Sequence, residues 1–111
     1  MRHEIRESEG AVVVSFEGDV DLDTSPAARK VLLDCVRRKR SVLVDMSRVT
    51  YIDSSVVASL VESFQNARNA GLRFGLVAVS ETALRVLKLA RLDLVFPIHA
   101  TLEDGLAQIS G

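Results

Sequence analysis

The chain has 111 residues, 14 Lys+Arg against 15 Asp+Glu and a formal net charge of -1, a length that suits one domain, 1–111, rather than two with separate cores. Its 48% apolar and 26% charged residues are the proportions of an ordinary soluble globular fold. So even a charge balance argues against a nucleic-acid binder that works by neutralising phosphates, and apolar runs such as Ala11 to Val14 are far too short for membrane insertion.

Ile5 and then Ala11 to Phe16 carry the first strand signals, with Glu9-Gly10 as the turn between them. After Gly18, the segment Asp19 to Pro26 is dense in helix-start chemistry. Thr24 or Ser25 is expected to cap, and Pro26 sits where its missing N–H costs nothing. Ala28, Val31, Leu32, Cys35 and Val36 then recur at helical spacing, so the first helix is predicted over about 25–38. Val42-Leu43-Val44 reads as a central strand, followed by a connection from Met46 to Asp53. Val56, Val57, Leu60, Val61, Phe64 and Ala67 mark a second helix that Gly71 ends. Phe74 to Val79 is the next strand, and Ser80 caps a third helix. Leu94-Val95-Phe96 reads as a short last strand stopped by Pro97. Thr101 and Asp104 open a final helix bearing Leu102, Leu106 and Ile109. The order ββαβαβα(β)α predicts an α/β sandwich: a mixed, mostly parallel sheet of four to five strands with about four helices.

Most enzymatic readings find no support. There is no GxxxxGK[ST] and no GxGxxG after a strand, and the two glycines of Gly71 to Gly75 precede a strand instead. His3 and His99 lack Cys, Asp or Glu at ligand spacing, so neither a metal nor another cofactor is expected. Cys35 lies on the apolar stripe of the first helix and reads as a small buried hydrophobe. A single cysteine leaves no internal disulfide and suits a reducing cytoplasm. The first ten residues are charged where a secretory leader would turn apolar, so no leader is expected. Arg37 to Arg40 form a basic run at a helix C-terminus, where the macrodipole favours cations. That run reads either as a solvated helix end or as a patch for an acidic partner.

One stretch, Val44 to Ser55, departs from this pattern. Asp45 is expected at the C-terminal end of a central strand, where open α/β sheets place their sites. Asp53 is an N-cap, and Ser54 and Ser55 occupy the first turn behind it. A phosphoryl group there would bring a charge of ~ -1.5 to -2 to a helix N-terminus that tolerates it, while Asp53 repels it. The two serines therefore read either as capping groups or as a modifiable site that alters binding without unfolding the domain.

The pattern D-x-S-x-V-x-x-x-D-S-S over 45–55, after Val42 to Asp45, resembles the STAS domain of bacterial anti-sigma-factor antagonists. Gly18-Asp19-Val20-Asp21 is similar to the turn before that family's first helix, and Ser80 to Phe96 to its third helix and last strand. The resemblance spans nearly the whole chain and implies the same fold, with the sheet on one side and helices on the other. It also implies partner switching. The unphosphorylated antagonist binds an anti-sigma factor that is a serine kinase of the histidine-kinase ATPase type, and releases a sigma factor. Phosphorylation ends binding, and a metal-dependent phosphatase of the PP2C type restores it. Carried over by position, the acceptor is Ser54, with Ser55 next in line. Asp21, Asp53, Ser55, Val56 and Val57 then belong to the partner face. Where the family usually has G-L-G, this chain has Val56-Val57-Ala58, which is expected to set a β-branched side chain beside the acceptor. Alternatives within the same family are a non-catalytic STAS subunit of a lipid ABC transport complex and binding of a small ligand or nucleotide by the STAS fold itself. In each case the chain is expected to be no enzyme, and to work in the cytoplasm.

Overall fold

A computed structural model describes residues 1–110. The chain forms β1 (Arg2–Ser8), β2 (Ala11–Val20), α1 (Ser25–Arg37), β3 (Val42–Ile52), α2 (Ser54–Asn69), β4 (Phe74–Val77) and α3 (Glu81–Leu89). A single 3-10 turn (Leu92–Leu94), β5 (Ile98–His99) and α4 (Leu102–Ser110) follow. The five strands lie in sequence order, β1 antiparallel to β2 and every other pair parallel. Crossover helices between parallel neighbours produce this order. The expected α/β sandwich, with five strands and four helices, is what forms.

Both faces of the sheet are covered. Val12, Val14 and Phe16 of β2 meet Leu32, Leu60 and Leu87 in the main core, under α1, α2 and α3. Ala11, Val13, Leu43 and Val77 point the other way and pack with Leu106 of α4. The expectation of helices on one side only is therefore corrected: α4 covers part of the opposite face. Strand periodicity explains the division, since alternate residues of β2 and β3 face opposite cores.

Two further expectations change. Residues 46–52 are not a loop but the second half of β3, which runs eleven residues. There Met46, Val49 and Ile52 are buried at three-residue spacing while Ser47, Arg48, Thr50 and Tyr51 are exposed. Two register shifts against β2, at Ser15/Glu17 and Gly18/Asp19, re-aim the strand and break its simple alternation. Both shifts place the extra residue on β3, and Gly18, opposite the second, has a φ of +90° that glycine adopts without strain. The last strand starts after Pro97 rather than ending before it. Leu76 N–H donates to the Pro97 carbonyl at 2.9 Å. The preceding parallel bond would need an N–H on Pro97 for the Phe74 carbonyl, and proline has none. Ile98 is thus the first residue able to continue the ladder, and Leu94 lies outside it, 81% exposed.

Candidate functional site

The C-terminal ends of β2 and β3 bring three segments together. Val20 pairs with Ile52, and Asp53 N–H donates to the Val20 carbonyl at 3.0 Å, so β2 and the start of α2 are joined directly. The β2–α1 loop closes on itself. Asp21 Oδ1 accepts from Thr24 N–H at 3.0 Å and from its hydroxyl at 3.1 Å, while Asp21 N–H donates to Thr24 Oγ1 at 3.0 Å. These contacts hold the Asp21 carboxyl below the ordinary aspartate range. They also correct the expected cap: Thr24 stands at the N-cap of α1 but makes no side-chain cap bond. The proline in the first turn removes one N–H it would serve.

Asp53 caps α2 as expected. Its Oδ2 accepts from Ser55 N–H at 2.9 Å and from the Ser55 hydroxyl at 2.6 Å. The Ser55 hydroxyl first, then its amide, keep the Asp53 carboxyl below its ordinary range. The two serines are thereby separated. Ser55 is half-buried with its hydroxyl engaged, whereas Ser54 is exposed and its hydroxyl makes no hydrogen bond among the described residues. Ser54 sits at the first helical position, where a negative charge meets the positive end of the helix.

Val56 and Val57 do not lie where they were expected. Both are buried, at 3% and 7% exposure, within the main core. Val56 packs into the core rather than standing beside the exposed Ser54. Val61 and Phe64 are half-buried against the same core. Apolar exposure at this end comes from residues the sequence did not single out, Leu22 at 67% and Tyr51 at 44%. Tyr51 pairs with Asp19 at the end of the ladder. The available signal for Leu22 was a lone large apolar residue between Asp21 and Asp23, outside any helical or strand period. Asp45 lies inside β3, where its Oδ1 accepts from Ser47 N–H at 2.9 Å.

The electrostatics are one-sided. Asp19, Asp21, Asp23 and Asp53 all lie in or beside this loop and helix start, and no Lys or Arg occurs between Glu17 and Ala28. Arg29 is held by Glu62 through two bonds, 2.7 and 2.8 Å. A shallow groove between α1 and α2, lined by Ser25, Pro26, Ser55, Ala58 and Ser59, runs beside that pair. Among the described residues no group of three or more His, Cys, Asp or Glu side chains is placed to hold a metal. No helix among them is long and apolar enough to cross a membrane.

A mixed sheet in this strand order, with a capped helix presenting an exposed serine at its first turn, defines a small α/β domain with helices on both faces of the sheet. The chain belongs to the STAS domain family, whose model matches residues 2–105. The anti-sigma-F factor antagonist RsfB of Mycobacterium tuberculosis is 28% identical over 108 residues, 96% of this chain and 88% of that protein. An anti-sigma factor antagonist from Mycobacterium paratuberculosis has a crystal structure that superposes with a TM-score of 0.88. It is 26% identical and covers 99% of this chain and 94% of its own. The Bacillus cell fate determinant SpoIIAA, in its phosphorylated form, shares the fold with a TM-score of 0.74 at 17% identity, covering 97% of this chain and 99% of its own.

Proposed function

We propose that this chain is an anti-sigma-factor antagonist switched by phosphorylation of Ser54. In its unmodified form it binds an anti-sigma factor that is also a serine kinase of the histidine-kinase ATPase type. The contact is made by the end of the molecule that carries Asp21, Leu22, Tyr51 and Ser54. Phosphate on Ser54 ends the contact, and a phosphatase of the PP2C type restores it. The observation that carries this reading is the difference between the two serines: only Ser54 offers an exposed hydroxyl with no internal partner. The names of the relatives support the partner class, and the phosphorylated SpoIIAA structure is in keeping with a fold that tolerates the modification.

The physical step is a change of charge in a crowded place. A phosphoryl group on Ser54 adds ~ -1.5 to -2 beside four aspartates. The fold accepts it, because a negative charge at an exposed helix N-terminus is favourable by roughly 0.3–1 kcal/mol. Pressed against a partner without a counter-ion, the same charge costs several kcal/mol, or two or more decades in dissociation constant. The chain itself turns nothing over; it is bound and modified.

The test begins with co-purification of the ATPase partner from the native cell. Binding is then measured for Ser54→Asp, Ser54→Ala and Ser55→Ala, with mass spectrometry of the unmutated protein after incubation with partner and Mg-ATP. Ser54→Asp should lose binding with its fold intact, Ser54→Ala should bind and resist switching, and Ser55→Ala should keep the switch. Full affinity of Ser54→Asp together with no phosphate on either serine would overturn the proposal in favour of a transport-complex subunit. Phosphate on Ser55 alone would keep the switch and move its acceptor.

A further inference from the structure

The gap that Pro97 leaves in the sheet opens a second site, at the other end of α2. β5 pairs with β4 only at Leu76 and Val77, so the β4 edge at Phe74 stays open. The C-terminal parts of α2 and α4 flank that edge, and a cleft of about 370 Å³ lies between them. Its innermost lining is apolar: Leu43 and Phe74 are buried, and Phe64 and Ile109 are half-buried. Its exposed rim carries Arg68 and Arg73. We propose that this cleft binds a small organic carboxylate with an apolar body.

Charge and shape both favour that class. No Asp or Glu lines the cleft, and neither Arg68 nor Arg73 enters an ion pair among the described residues. The Arg68 guanidinium lies 5.7 Å from the centroid of the Phe64 ring. Stacking of that kind leaves the N–H donors in the guanidinium plane available. Arg73 gives one Nη1 proton to the Gln108 carbonyl near the end of α4 and keeps its others. Helix-end compensation accounts for cations at these positions, but not for an apolar cleft beneath two unpaired guanidinium groups. A carboxylate accepts from both in the plane of its oxygens, and its apolar body displaces water from the half-buried Phe64 and Ile109. The cleft is small, at the lower end of the ~300–1,000 Å³ range of ligand sites. Ser54 lies about 15 Å from Phe64 and about 21 Å from Arg68 along α2, at roughly 1.5 Å per residue, so this site and the proposed switch are tested separately.

The probe is 4-phenylbutyrate, followed by amide chemical shifts in the full chain, with 4-phenylbutanol and 4-phenylbutylamine as neutral and cationic controls. The carboxylate should shift Leu72, Gly75, His99 and Ile109 in a saturable way, and leave Asp21 and Ser54 unmoved. The alcohol should bind about tenfold more weakly, as should the carboxylate to Arg68→Gln or Arg73→Gln. Gly75→Ala should also weaken binding, because its Cβ would stand 3.3 Å from His99 Nε2 and 3.4 Å from Leu43 Cδ2 and narrow the cleft. If that variant unfolds, the two exposed arginine variants carry the test alone. No saturable shift up to about 10 mM, equal binding of alcohol and carboxylate, or unchanged affinity in both arginine variants would overturn the proposal.

Discussion

Gly105 is a helix-interior glycine that the fold requires, and replacing it with alanine sets two effects of known size against each other. In favour of Gly105→Ala stands helix propensity, about 1 kcal/mol in a helix interior. Against it stands the close seat of α4 on the sheet. A Cβ on residue 105 would lie 2.6 Å from Val77 Cγ1 and 3.2 and 3.3 Å from the two δ-carbons of Leu43. Val77 and Leu43 are both at 0% exposure, inside the smaller core. Restoring a normal separation of about 3.5–4.0 Å requires α4 to lift by roughly 1 Å. That lift also loosens Leu102, Leu106 and Ile109, which α4 contributes to the same core. Overpacking of this kind costs about 1–3 kcal/mol, and loosened contacts place this case in the upper part of that range. The net expectation is a loss of about 1–2 kcal/mol, or a Tm lower by roughly 5–10 °C. Thermal unfolding followed by circular dichroism measures it. A double variant, Gly105→Ala with Val77→Ala, should lose less than the sum of the two single losses, because the new Cβ takes the place of the deleted Cγ1. A neutral or stabilised Gly105→Ala would refute the close-seat reasoning.

Two further outcomes are expected. Asp21 and Asp53 both have carboxyls held below their ordinary pKa by neighbouring N–H and hydroxyl groups. Their contribution is complete above the unfolded value near 3.8 and is lost as pH falls through the lowered native values. Urea midpoints should thus be insensitive to these groups from neutral pH to about pH 5 and fall below about pH 4. Asp53→Asn should flatten that acid limb, and an unchanged limb would remove Asp53 from the account. Cys35 is at 0% exposure, and burial raises its thiol pKa. Ellman's reagent should therefore label it only at the rate of unfolding, in step with urea concentration; rapid labelling of the native protein would contradict its burial.

Much of the fold was legible because local signals agreed with one another. Ser80 does cap α3, accepting from Ala83 N–H, and Thr101 does accept from Asp104 N–H at the start of α4. Gly71 closes α2 with Gly71 N–H on the Arg68 carbonyl and Leu72 N–H on the Ala67 carbonyl. The second half of β3 was hidden because its bulges replace a two-residue period with a three-residue one, at Met46, Val49 and Ile52. The position of α4 is foreshadowed by β2. Ala11, Val12, Val13 and Val14 form an unbroken apolar run, and all four are at 0% exposure. A strand apolar on both sides needs cover on both. Pro97 reads in the sequence as the end of the last strand, whereas its missing donor only delays the start of pairing.

At the site, Asp53 as a cap was legible, but the roles of Ser54 and Ser55 rest on helix geometry that residue types do not carry. An N-cap side chain reaches the N–H groups of the second and third helical residues. Ser55, the second, is drawn in, while Ser54, the first, is left outside the capping bonds. The same geometry arranges the charge. A net charge of -1 hides a separation along the strands: Asp19, Asp21, Asp23 and Asp53 gather where β2 and β3 end, and Arg40 and Arg73 stand just before β3 and β4 begin. Arg37, Arg38, Lys39 and Arg68 join that second group at the C-terminal ends of α1 and α2, where Arg38 and Arg40 share Glu7 at 3.9 and 3.8 Å and Arg37 meets Asp34 at 3.3 Å. Of the cations near the acidic end, Arg29 is neutralised by Glu62, and Arg48 lies 4.0 Å from Glu17. In the proposed function the acidic cluster draws a basic partner surface toward the Ser54 end before contact. Phosphate on Ser54 adds to the sign already present there. In the proposed function the switch therefore acts on short-range fit against a partner's surface, not on reversal of a long-range attraction, and raising the salt concentration should slow association of the unmodified protein without imitating the phosphate.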